Sequence, residues 1–144
     1  MNSILTHAHS GLRWVAIILL LLAIVQAFTS KTFEKKHKLI SLFAMVTLHI
    51  QLVIGLIQYF FTSSKTNFAS GWMKIEQYRF FGMEHLVGML AAIVLITMGY
   101  SKSKKMETAE DKFKKIKVFY LIGFLLILAS IPWPFRTALG GSWF

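Results

Sequence analysis

Three histidines stand in or beside long apolar runs: His9 in HAHSGLRW, His49 in TLHIQLVIGLIQYF, and His85 after Glu84 in RFFGMEH. A neutral imidazole has one lone pair and one N–H. In an apolar setting it can ligate a metal ion while a hydrogen bond fixes its other nitrogen. Arg13 and Arg136 add guanidinium groups, which suit bidentate pairing with carboxylates. Ionisable side chains inside apolar helices are costly and are functional candidates by default. The elements that carry them therefore decide which can meet.

The chain has 144 residues, is 56% apolar and has no cysteine, and its mean hydropathy is +0.60. Long apolar runs recur four times, over residues 12–28, 39–61, 80–100 and 118–135, each long enough to cross a bilayer, the first and last near the short limit. Alternating strand patterns are absent, so the expected fold is an all-α integral membrane protein, a four-transmembrane-helix up-down bundle forming one domain over 1–144. The net charge of +10 does not point to nucleic acid, because the lysines sit in short clusters between spans, with no aromatic reading surface beside them. The segments 29–38 and 101–117 hold eleven of the sixteen Lys and Arg residues. The positive-inside rule makes those two loops cytoplasmic and puts both termini and the segment 62–79 outside. Val25 and Ala27 after the apolar run of 12–24 resemble a signal-peptidase site, but the basic residues that follow favour an uncleaved helix. Trp14, Trp72, Trp133 and Trp143 map to the outer boundary as an interfacial belt. His37, within the charged KKHK run, reads as solvated.

Counted from the cytoplasmic helix ends, His49 lies about 15 Å deep, His85 about 22 Å and His9 about 28 Å, with Arg13 at about 22 Å and Arg136 at about 27 Å. Taken alone, each histidine has an ordinary explanation. His49 could make an interhelical hydrogen bond, with Thr47, Gln51 or a hydroxyl across the bundle. Glu84 and His85 could be a polar pair steadying the top of span three, and His9 an interfacial residue. Together they suit iron held by two imidazoles from different helices of a bundle. Without cysteine, covalently attached c-type haem is excluded, so a redox cofactor would be held noncovalently, and haem b is the expected one. The expected axial ligands are His49 and His85, with a stagger of about 7 Å for untilted helices. His9 is the alternative ligand and otherwise joins Arg13 and Arg136 around the propionates. Gly55, Gly82, Gly88 and Gly99 would let helices or a flat macrocycle come close to the backbone, as ordinary membrane packing also requires.

HAHSGLRW (7–14), HIQLVIGLIQYF (49–60), RFFGMEH (79–85) and IPWPFR (131–136) resemble small four-helix membrane proteins of Bacteroidota described as cytochrome b-like. The resemblance covers nearly the whole chain and implies haem binding in a bacterial cytoplasmic membrane. More distantly, the chain resembles one half of haem A synthase. Glu84 and His85 loosely match that family's motif, but its external cysteine pair is absent.

The expected function is electron transfer by a membrane cytochrome with haem in the outer half of the bundle. A quinol partner would make the chain a quinol-linked oxidoreductase component, with Gln51, Gln58, Tyr59 and Glu84 able to offer hydrogen bonds. A second reading is a noncatalytic accessory or assembly subunit of a larger respiratory or export complex. A third is an outward-facing copper or zinc site on His7, His9 and His85.

Overall fold

The computed structural model describes residues 2–62, 74–75 and 83–131. They form four long helices: α1 (Asn2–Thr29), α2 (Lys35–Ile57), α3 (His85–Lys105) and α4 (Ala109–Ser130). A π-helical turn, Gln58–Thr62, continues α2. No strand occurs among the described residues. In lipid the backbone must satisfy its own hydrogen bonds, and uninterrupted apolar runs of this length do so as helices. Three stretches are long and apolar enough to cross a membrane: Ile4–Thr29, Lys35–Phe61 and His85–Lys105. The first nine residues of α4, AEDKFKKIK, are rich in charge, which keeps its described part below that standard. Residues 132–135 of the expected fourth span lie outside the described residues.

The first helix begins well before residue 12, where the sequence placed it. Its 28 residues extend about 42 Å, and both His7 and His9 belong to it. The reason is that the polar segment NSILTHAHS contains no helix breaker, so the apolar run propagates backwards through it.

Each helix packs against its neighbours in the cyclic order α1, α2, α3, α4, so that α1 faces α3 diagonally and α2 faces α4. The connections 30–34 and 106–108 are short, which forces antiparallel neighbours. Thr108 starts α4 by accepting a hydrogen bond from the Asp111 amide at 3.1 Å, and Glu110 and Asp111 in its first turn complement the helix dipole. The core joins Ala16, Leu20 and Ala23 of α1 to Ala44 and Leu48 of α2, Ala92 and Ile96 of α3, and Ile116, Tyr120 and Ile127 of α4. The Tyr120 hydroxyl crosses the diagonal to donate to the Ser41 carbonyl at 2.8 Å. Val15, Ile18, Leu22, Val94 and Leu125 remain exposed on the outer faces, as residues bathed in lipid should be.

The α3–α4 seam is close because small residues line it. A Cβ at Gly99 would meet Cβ of Phe119 at 2.6 Å, and one at Gly123 would meet Ile96 Cγ1 at 2.7 Å and the Ala92 carbonyl at 3.2 Å. Gly123→Val is expected to destabilise the bundle by about 1–3 kcal/mol through overpacking, read as a lower unfolding temperature in detergent.

The end carrying the lysines is closed by aromatic packing. His37, expected to be solvated, is instead buried at 6% exposure. Its ring lies 6.2 Å from Phe33 and 5.4 Å from Phe113 between centroids. The Glu34 amide donates to His37 Nδ1 at 2.9 Å, satisfying a backbone group at the start of α2. Charge in the neighbouring sequence therefore misleads. The first turn of α2 rotates this one side chain inward while Lys35, Lys36 and Lys38 stay exposed.

Candidate functional site

His85 is the first residue of α3, and Ser130 is the last of α4. The Ser130 carbonyl, at the helix end where no intrahelical donor remains, receives the Nδ1 hydrogen of His85 at 2.7 Å. A carbonyl only accepts, so the neutral ring carries its proton on Nδ1 and its lone pair on Nε2. This is the tautomer and second hydrogen bond that an imidazole metal ligand needs. Gly88, one turn along α3, makes the approach possible. A Cβ there would overlap the Ser130 Oγ and stand 3.1 Å from the Ser130 Cβ.

His9 reaches the same level from α1. The His9 and His85 ring centroids are 6.4 Å apart, with the rings 74° from coplanar. The two thus meet across the diagonal of the bundle. On the α2 side, Gln51 Nε2 donates to the His9 carbonyl at 2.9 Å. A Cβ at Gly55 would stand 3.5 Å from His9 Cε1, so the ring lies over a position without a side chain. Nδ1 of His9 and Oε1 of Gln51 are buried and have no hydrogen-bond partner among the described residues. Arg13, one turn below His9 on the same face, is half-buried, with its guanidinium carbon 5.4 Å from the Trp14 ring centroid.

His49 is placed elsewhere. Its Nε2 is 2.9 Å from Thr97 Oγ1, whose own hydrogen goes to the Ile93 carbonyl at 2.7 Å, so the imidazole is the donor. Thr97 lies twelve residues from His85 along α3, a rise of about 18 Å. The structure therefore does not bring His49 and His85 together, and His49 finds the hydroxyl across the bundle that its sequence setting allowed. Side-chain direction contributes to the gap. Side chains lean toward the N-terminus of their own helix, so in the antiparallel pair α2 and α3 the rings of His49 and His85 lean apart. His9 and His85, on the parallel diagonal pair α1 and α3, lean the same way.

The other expected residues divide simply. Arg136 lies outside the described residues, as do Trp72, Trp133, Trp143 and Gly82. Gln58 donates to Thr6 Oγ1 at 3.1 Å, Tyr59 is partly buried with its ring 5.0 Å from that of Phe60, and Glu84 is exposed. His7 is exposed. No group of three or more His, Asp or Glu side chains suited to a metal ion occurs among the described residues. The expected copper or zinc site on His7, His9 and His85 is therefore not assembled. His7 and His9 are two positions apart, and two residues at that spacing do not share a helix face. Ser130 is the part of the site that the sequence reading does not reach, whereas Gly88 stands among the glycines expected to allow a close approach. The GMEHLVG run does hold a signal for Gly88, which follows His85 at i+3 and shares its face.

Membrane-capable helices that bring two neutral imidazoles together across a bundle are how a membrane cytochrome is built. The family model for eukaryotic cytochrome b561 matches residues 2–107. The chain belongs to that family: it is a haem-binding, multi-pass membrane cytochrome of electron transfer, its haem of the b type and its helices embedded in a lipid bilayer. No curated protein and no solved structure matches the chain.

Proposed function

We propose that His9 and His85 hold the haem iron, in the half of the bundle remote from the lysines. The observation that carries this reading is the 6.4 Å between the two ring centroids, a separation suited to one ion shared by two rings, since a ligating nitrogen stands about 2 Å from its metal. The donor set fits the group. One imidazole is already held by Ser130, the other has a buried Nδ1 with no partner among the described residues, and both are neutral nitrogen ligands of the kind haem b takes.

When bound, the haem supplies a reversible one-electron couple. Everything else falls to the chain. Ser130 fixes the tautomer and direction of His85. Arg13, and Arg136 from beyond α4, offer guanidinium groups to the propionates. His49 is left to tie α2 to α3 through Thr97.

In this reading the lysine-rich loops face the cytoplasm, both termini lie outside, and residues 1–144 form one domain. The resemblance to small four-helix proteins of Bacteroidota supports a bacterial cytoplasmic membrane. A quinol is the proposed reductant, supported by the amides and hydroxyl of Gln58 and Tyr59 near the same end.

The test is a reduced-minus-oxidised visible spectrum with pyridine extraction of the purified chain. His49→Ala is expected to keep the b-type band, and His9→Ala to lose it. The reverse pattern would restore His49 and His85 as the axial pair. A band kept in both His9→Ala and His49→Ala would overturn the assignment of His9 without restoring His49.

A further inference from the structure

Resting on the assignment of His9 as an iron ligand, we infer that Gln51 is its positioning residue, the counterpart on α2 of the Ser130 carbonyl that holds His85. Gln51 is 4% exposed, a depth at which an amide is seldom left half-satisfied. Its Nε2 donates to the His9 carbonyl. Because that carbonyl only accepts, the orientation of the amide is settled and Oε1 must point elsewhere. Among the described residues Oε1 has no partner, and neither has Nδ1 of the same His9.

The two orphaned atoms are complementary. Nδ1 donates in one neutral tautomer, and an amide oxygen accepts. The ring atom next to Nδ1, Cε1, already faces Gly55, one turn from Gln51 on the same face of α2, a position that itself has no side chain to oppose a rotation of the ring. Turning His9 so that Nδ1–H donates to Gln51 Oε1 satisfies both groups and leaves the lone pair on Nε2. Both imidazoles then have the same form, with an oxygen at Nδ1 and an available Nε2. Gln51 thereby selects the tautomer of His9 and sets how strongly that ring donates to iron.

An acceptor at Nδ1–H makes an imidazole more basic, which favours oxidised over reduced iron. Gln51→Leu, with no acceptor, is expected to raise the reduction potential of the haem-loaded chain. Gln51→Glu, with a stronger acceptor, is expected to lower it. A merely structural disturbance has no reason to move the two in opposite directions. In the reduced, 15N-histidine-labelled wild type, the Nδ1 protons of both His9 and His85 are expected to resonate downfield and exchange slowly. That measurement applies even if a Gln51 variant fails to fold.

Shifts of the same sign in both variants, unchanged potentials, or a rapidly exchanging His9 Nδ1 proton would overturn the role of Gln51 alone, provided His9→Ala has lost the haem band. If His9→Ala keeps the band, the ligand assignment itself falls, and the role of Gln51 with it.

Discussion

His85→Ala is expected to leave the purified chain without a b-type spectrum and less stable than the wild type. Two separate losses produce this result. The first is an axial imidazole, which alanine cannot replace. The second is the hydrogen bond that closes the end of α4, where Ser130 presents a carbonyl with no helical donor of its own. Ser130 is buried, so leaving its carbonyl unsatisfied costs about 1–3 kcal/mol. His85→Asn separates the two effects. The asparagine amide offers N–H close to where Nδ1 stood, so the variant should recover most of the unfolding temperature in the haem-free state while remaining unable to bind haem. Wild-type haem content in His85→Asn would remove His85 from the ligand set.

Gly88→Val acts on the same site without touching a ligand. A side chain at 88 runs into Ser130 at both Oγ and Cβ. The hydroxyl can rotate away, but the Cβ is tied to the backbone, so α3 and α4 must move apart at that level. Overpacking of this kind costs about 1–3 kcal/mol. The same displacement draws the Ser130 carbonyl away from His85, and losing such a supporting partner lowers metal affinity about 10- to 100-fold. Gly123→Val is the comparison. It lies on the same seam, seven residues from Ser130 and about 10 Å along α4, so it should lower stability comparably and leave haem affinity near that of the wild type. Titration of haem into the two haem-free variants measures the difference. Equal affinity in both would mean that the Ser130 contact does not orient His85.

The contrast between these two glycines also marks where reasoning along the chain stops. Sequence alone marks Gly88 and Gly99 as small residues in apolar runs and does not single out Gly123. Only the packing shows that the first abuts Ser130 beneath a ligand candidate and the last abuts Ile96 and Ala92 in the plain core. His37 makes the same point at the other end. Its neighbours in sequence are lysines, but its neighbours in space are Phe33 and Phe113.

What the sequence determined by itself was the class of object. Apolar runs of spanning length must be helical, because lipid offers the backbone no other partner. Clustered lysines mark one end of the bundle, and the absence of cysteine limits haem to noncovalent attachment. The membership of the pocket was a tertiary matter. Depth counted along separate, untilted helices put His49 within about 7 Å of His85 and left His9 at the rim. In the folded chain His49 meets Thr97, far down α3, while His9 meets His85. The physical reason is that histidine side chains lean toward the start of their own helix, and only the packing order decides that α1 and α3, which run the same way, face each other across the bundle.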